Sequence, residues 1–144
     1  MQAHAASVKM TELDAQHLRC KTMIDWSQID TVLLDMDGTL LDLHFDNFFW
    51  GQHLPAEYAK REGISFDQAM AQLEPEFTKT QGKIEWYCTD YWSEFTRFDI
   101  PALKRDVQAR IGWRDNAQEF LIWLKAQQKH IVIATNAHRD VYQL

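Results

Sequence analysis

Two carboxylates separated by one residue, Asp35 and Asp37, stand where the apolar run Thr31-Val32-Leu33-Leu34 meets Gly38 and Thr39. With Met36 between them, both side chains can face the same ligand when the chain leaves a strand. Carboxylates this close repel each other. A divalent cation relieves the repulsion and also neutralises phosphate oxygens; magnesium suits such an all-oxygen site and commonly uses one or two carboxylates plus substrate phosphate. One carboxylate can then attack phosphorus while the other moves a proton to the leaving oxygen. The backbone N–H groups near Gly38 and Thr39 and the hydroxyl of Thr135 are candidates to hold the phosphoryl oxygens as charge develops. Asn136 joins them as a substrate-binding candidate.

The elements that must position these groups follow from pattern. Thr31 to Asp35 is apolar without alternation, as expected of a strand buried on both faces of a parallel sheet. Gly38 permits a tight departure. From about 44 to 113 the sequence turns to helical patterns punctuated by Gly51, Pro55, Gly63, Pro75, Gly82 and Pro101, which reads as an inserted helical subdomain. Ser65 with Gln68 has capping-box spacing, and Asp99 ahead of Ile100-Pro101 is an N-cap with proline in the permissive first turn. Between them, 84–97 carries Trp86, Tyr87, Tyr91 and Trp92 on one broad helical face. A further helix is expected from Asp115 to about Gln128, burying Phe120, Leu121, Leu124 and Trp123. Ile131 to Thr135 then forms a second strand. Strand, helical insertion, helix, strand is the opening half of a doubly wound α/β fold. Ligands of open parallel sheets bind beyond the carboxyl ends of the strands, where Asp35, Asp37 and Thr135 all fall.

Composition sets outer bounds. The 144 residues are 46% hydrophobic and 25% charged, which fits one ordinary soluble domain. A formal charge of -6 argues against a nucleic-acid polymer as partner, because phosphate backbones are bound by clustered Lys and Arg. A small phosphorylated ligand held with a metal stays compatible. Cys20 and Cys88 are too few and too isolated for a disulfide framework, so they read as reduced thiols. No stretch approaches a membrane span and no secretory signal opens the chain, so a cytoplasmic location is expected. Residues 1–23 are expected to be a disordered extension, with Met23 as the natural start.

Asp35-Met36-Asp37-Gly38-Thr39 followed by Leu40-Leu41-Asp42 resembles motif I of the haloacid dehalogenase (HAD) superfamily, and Ile131 to Asn136 resembles its motif II. The resemblance implies an α/β fold with a doubly wound parallel sheet and an inserted helical type-1 cap at 44–113, the core comprising 24–43 and 114–144. It implies Asp35 as the nucleophile forming an aspartyl-phosphate. Asp37 would be the general acid/base that also binds magnesium, and Thr135 a phosphate ligand. An Asp at the second motif position is the phosphatase and phosphomutase pattern. Phe45-Asp46-Asn47-Phe48-Phe49-Trp50, Trp86-Tyr87-Cys88-Thr89-Asp90-Tyr91-Trp92-Ser93-Glu94 and Thr135-Asn136-Ala137-His138 further resemble the bacterial purine 5′-nucleotidases of this class that act on GMP and IMP.

HAD phosphatases also use a lysine and an acidic pair downstream of motif II. The eight residues after Asn136 hold neither, so the chain reads as the N-terminal portion of a nucleotidase whose activity is impaired. Its apolar sheet edge is then expected to be open to self-association. Two rival readings accompany this one: a phosphatase or phosphomutase for sugar phosphates, and a non-catalytic remnant that associates through that edge. Single features have plainer explanations as well. Asp favours turns and Thr-Asn favours caps. The aromatic stripe can be core rather than a purine platform; a base-binding role for it separates the nucleotide reading from the sugar-phosphate one, so Trp92→Ala is expected to weaken nucleotide turnover selectively if the first holds. His44, His53 and His138 read mainly as structural or surface residues, with Asn47 and His138 as weak substrate-contact candidates.

Overall fold

The computed structural model describes residues 24–140. The extension 1–23, with Cys20 and the expected start at Met23, lies outside the described residues. Residues 24–30 carry one 3-10 turn, Trp26–Gln28, capped by the Asp25 carboxylate, which accepts from the Ser27 N–H at 3.1 Å. From Thr31 onward the strands and helices form one compact unit.

That unit is framed by β1 (Thr31–Leu34) and β2 (His130–Ile133), which pair in parallel from Thr31 opposite His130 to Leu34 opposite Ile133. Among the described residues these are the two strands of the sheet. The ladder continues one step further, with the Ala134 N–H donating to the Leu34 carbonyl at 2.8 Å. Both strands therefore end level with one another, delivering Asp35 and Thr135 to the same edge.

The expectation of a strand buried on both faces is corrected. Leu34 is buried, but Leu33 is 66% exposed and Ile133 47% exposed; Leu33 shares its face with Val132 and Ile133 shares the other with Leu34, so among the described residues neither face of the two strands is fully covered. β2 begins at His130 rather than Ile131 and ends before Thr135.

All of the helices from 44 to 110 lie between the two strands in sequence. α1 (His44–Phe48) runs into a π-helical turn, Phe49–His53, and then α2 (Leu54–Glu62). α3 (Phe66–Thr80) starts at the expected capping box: Ser65 Oγ accepts from the Gln68 N–H at 3.2 Å and Gln68 Oε1 accepts from the Ser65 N–H at 2.9 Å. α6 (Ile100–Arg105) starts where Asp99 Oδ1 accepts from the Ala102 N–H at 2.9 Å. These caps satisfy helix N–H groups that have no partner inside the helix.

The stretch expected as one helix over 84–97 is two, α4 (Ile84–Tyr87) and α5 (Thr89–Thr96), broken at Cys88, whose φ of -90° and ψ of 107° are extended. A continuous helix would give the Trp86 carbonyl to the N–H of Asp90. Instead the indole Nε1–H of Trp92 donates to it at 3.1 Å. Thus a side chain folding back from the next turn satisfies the carbonyl that the break releases.

The interior of the insertion is built on Phe49, Leu54, Trp92 and Ile100, with Trp50, Phe77 and Trp86 packed around them. α7 (Ala117–Ala126) precedes β2; it buries Leu124 and Ala117, while Phe120 and Leu121 are half-buried and Trp123 is exposed, against the expectation that all four large residues go inward. The two ends of the insertion lie side by side, the Asp42 N–H donating to the Gly112 carbonyl at 3.0 Å and the Arg114 N–H to the Leu40 carbonyl at 2.9 Å. A side chain at Gly112 would make the Asp42 carboxylate shift, since a Cβ would sit 2.8 Å from its Oδ2.

Candidate functional site

Asp35 is the first residue after β1, and its Oδ1 accepts from the Met36 N–H at 2.7 Å. The Met36 carbonyl then accepts from the N–H groups of Leu40 and Leu41, both at 2.9 Å, closing the turn that contains Asp37. Gly38, at φ 74°, takes the left-handed conformation that this turn requires. Arg114 Nη1 donates to the Gly38 carbonyl at 2.6 Å and so ties the turn to the segment after the insertion. A buried Leu40 plugs the turn from below.

Asp35, Asp37, Thr135 and Asn136 all line one cavity of about 560 Å³. Gly38 and Thr39 are not among its lining residues. The Gly38 N–H donates to the Leu41 carbonyl at 2.8 Å and the Thr39 N–H to the Met36 carbonyl at 3.4 Å, so both groups expected to hold phosphoryl oxygens have backbone partners here. Thr135 Oγ1 accepts from the Ala137 N–H at 3.1 Å, which leaves its own hydroxyl proton to donate into the cavity.

The other walls come from the helical insertion. Asp46, Asn47 and Trp50 contribute from α1 and the π-helical turn, Trp86 and Tyr87 from α4, and Lys104 from α6. Of the rings, Trp92 is 1% exposed and belongs to the core, whereas Tyr87 is 41% exposed. Trp86 is half-buried. Of the stripe expected to be core or purine platform, Trp92 is thus core, while Trp86 and Tyr87 keep the more open positions. His138 also lines the cavity, with Nδ1 2.9 Å from Thr89 Oγ1. His53 packs against Phe48 and Phe49 away from the cavity.

The sequence alone does not mark Lys104 or Asp46 as site residues. Lys104 is 5% exposed, with Nζ 2.8 Å from Asp46 Oδ1 and 5.1–5.3 Å from the ring centres of Phe45, Phe49 and Trp50. The signal for it was weak but present: Lys104 lies four residues after the buried Ile100, on the inward face of a helix whose start was already fixed by Asp99. A lysine on an apolar helix face usually reaches out to solvent; here the carboxylate across the chain holds it in.

Asp37 shares the cavity with two carboxylates, Asp35 and Asp46, and one ammonium. Burial pushes its carboxyl above the usual range; Asp46 and Asp35 push it the same way, while Lys104 pulls it down. A raised native pKa means that the native state holds a proton that the unfolded chain releases. Asp37's contribution therefore falls as pH rises from its unfolded value, about 3.9, through its native one.

Lys104→Met removes the opposing charge and leaves Asp46 unpaired beside Asp37. It should cost about 2 kcal/mol at neutral pH, less than a fully buried pair because Asp46 is partly exposed. The deficit should shrink as pH falls and the carboxyls take up protons. Urea unfolding at pH 5 and at pH 7.5 checks this; a deficit equal at both would mean that lost packing, not unpaired charge, dominates.

The donor set fits a hard divalent cation. Asp35 and Asp37 supply oxygens only, and three carboxylates against one lysine leave the cavity negative.

The family model for haloacid dehalogenase-like hydrolases matches residues 29–144. The GMP/IMP nucleotidase YrfG of Escherichia coli (strain K12) is 43% identical over 115 residues, covering 80% of this chain and 52% of that protein. The protein of the same name from Shigella flexneri matches equally. The chain thus spans about half the length of the curated relatives it matches. Among solved structures, a HAD phosphatase from Thermococcus onnurineus superposes with a TM-score of 0.65 at 22% identity, covering 80% of this chain and 54% of that one. This last likeness concerns the fold.

Proposed function

The chain belongs to the haloacid dehalogenase-like hydrolase family, and from that premise we propose that its site is that of a magnesium-dependent phosphomonoesterase for purine nucleoside 5′-monophosphates. The observation that carries this reading is a single cavity lined both by a carboxylate pair at the strand end and by the rings of Trp50, Trp86 and Tyr87. One set of groups suits a phosphoryl group and the other a flat base. The name of the 43%-identical relative, a GMP/IMP nucleotidase, supports the same substrate class.

In the proposed reaction an Asp35 oxygen attacks phosphorus, the bond from phosphorus to the nucleoside 5′-oxygen breaks, and Asp37 gives its proton to the departing oxygen. The raised pKa of Asp37 favours this role, because burial makes its protonated form easier to hold than that of a free carboxyl. Asp37 then takes a proton from water as that water attacks the aspartyl-phosphate, releasing phosphate and restoring Asp35. Thr135 donates its hydroxyl to a phosphoryl oxygen. Asp35 and Asp37 would hold magnesium, which supplies positive charge to phosphate oxygens that the carboxylates would otherwise repel. The helical insertion acts as a cap whose closure keeps bulk water from the phospho-enzyme.

Magnesium-dependent phosphate release from IMP and GMP, set beside release from ribose 5-phosphate, tests the reading. Trp86→Ala should raise KM for the nucleotides by about 5- to 100-fold, the worth of one stacked base, and leave ribose 5-phosphate nearly unchanged. An equal effect on both substrate classes would remove the base platform and favour a sugar phosphate as substrate.

A further inference from the structure

Beside the carboxylate cavity, a second group of metal-ligating side chains converges. Cys88, Asp90 and His138 bring a thiol, a carboxylate and an imidazole within 4.8 Å of one another. Cys88 and Asp90 flank Thr89 at the start of α5, whereas His138 follows β2, so the three connect the helical insertion to the strand end.

The surroundings of His138 fix its useful nitrogen. Nδ1 lies 2.9 Å from Thr89 Oγ1, a buried hydroxyl, and 3.4 Å from Asp140 Oδ2, a carboxylate oxygen that can only accept. The Asp140 carboxylate favours a proton on Nδ1, and the Thr89 hydroxyl, which can donate or accept, is compatible with it; that tautomer leaves the lone pair on Nε2. A histidine that gives one N–H to a carboxylate or hydroxyl and turns its other nitrogen outward is the usual arrangement of a metal-binding imidazole. Nε2 stands 3.8 Å from Asp90 Oδ2. That is too long for a hydrogen bond, yet near the roughly 3.3–3.8 Å that separates two ligands of one tetrahedral ion with bonds of about 2.0–2.3 Å.

We propose that Cys88, Asp90 and His138 form a site for a borderline-soft divalent cation of the zinc class, with a fourth position open to water. Sulfur and imidazole donors select zinc over magnesium, so this site is chemically separate from the all-oxygen pair Asp35 and Asp37. Thr89 and His138 also line the large cavity. An ion held here pins the start of α5 to the chain after β2, and with it the wall that carries Trp86 and Tyr87.

Cobalt(II) is the probe, because a cobalt–thiolate bond gives a charge-transfer absorption that the oxygen ligands of the other site cannot. One equivalent should develop that band in the 144-residue chain. Stoichiometric zinc should abolish it, and millimolar magnesium should not. Cys88→Ser should eliminate the band and Cys20→Ser should retain it. His138→Gln and Asp90→Asn should each weaken cobalt binding at least about 10-fold. Asp90 is 80% exposed, so its substitution leaves the fold intact and reads ligation alone. No band, a band that survives Cys88→Ser, or binding indifferent to Asp90→Asn would each overturn the site.

Discussion

Under the proposed function, Asp35→Asn should abolish magnesium-dependent phosphate release from IMP and GMP, with a loss of at least about 10³-fold, because the amide lacks the anionic oxygen proposed to attack phosphorus. The substitution is nearly isosteric, and an asparagine Oδ1 can still accept from the Met36 N–H as the Asp35 carboxylate does at 2.7 Å. Asp35 is exposed, so stability should move by no more than about 0.5 kcal/mol. Any shift should be favourable, since one carboxylate fewer crowds Asp37. The expected signature is therefore lost turnover with an unchanged unfolding curve. Magnesium-dependent release that persists in Asp35→Asn would assign the nucleophile elsewhere and sink the proposed chemistry.

Trp92→Ala should act through stability instead of specificity. Trp92 is 1% exposed and its ring centre lies 5.2 Å from that of Trp50, 5.3 Å from Phe77 and 5.5 Å from Tyr91. Its indole N–H holds the carbonyl freed at the helix break. Truncation leaves a large void and an unpartnered carbonyl, which together should cost about 3–5 kcal/mol. Against a usual total of about 5–15 kcal/mol, that brings the helical insertion close to unfolding. Thermal unfolding should show a large loss, and any residual turnover should fall alike for nucleotides and for ribose 5-phosphate. A well-folded Trp92→Ala with a selective nucleotide defect would restore Trp92 as a base platform and contradict its place in the core.

The two aromatic substitutions show where reading along the chain stops. Helical periodicity put Trp86, Tyr87, Tyr91 and Trp92 on one broad face, but periodicity does not say which ring of a stripe goes to the centre. The break at Cys88 decides that: all three rings border the cavity, but Trp92 is buried at 1% exposure while Trp86 and Tyr87 stay more open. Strand burial was misread for a related reason. An apolar run shows what a strand can bury, whereas exposure of Leu33 and Ile133 depends on what packs against them.

What the sequence by itself determined is governed by neighbours a few residues apart. The capping box at Ser65, the Asp99 cap, the left-handed turn at Gly38 and the alternation that aims Asp35 and Asp37 together all follow from local backbone geometry. The parallel strands and the meeting of Asp35 with Thr135 followed from one topological rule about strand ends. The tertiary structure alone decided the Lys104–Asp46 pair, 58 residues apart, and the trio of Cys88, Asp90 and His138. It also decided that the Gly38 N–H donates to the Leu41 carbonyl. These are choices between partners distant in the chain. Such contacts carry no periodicity, and packing selects them only after the elements have formed.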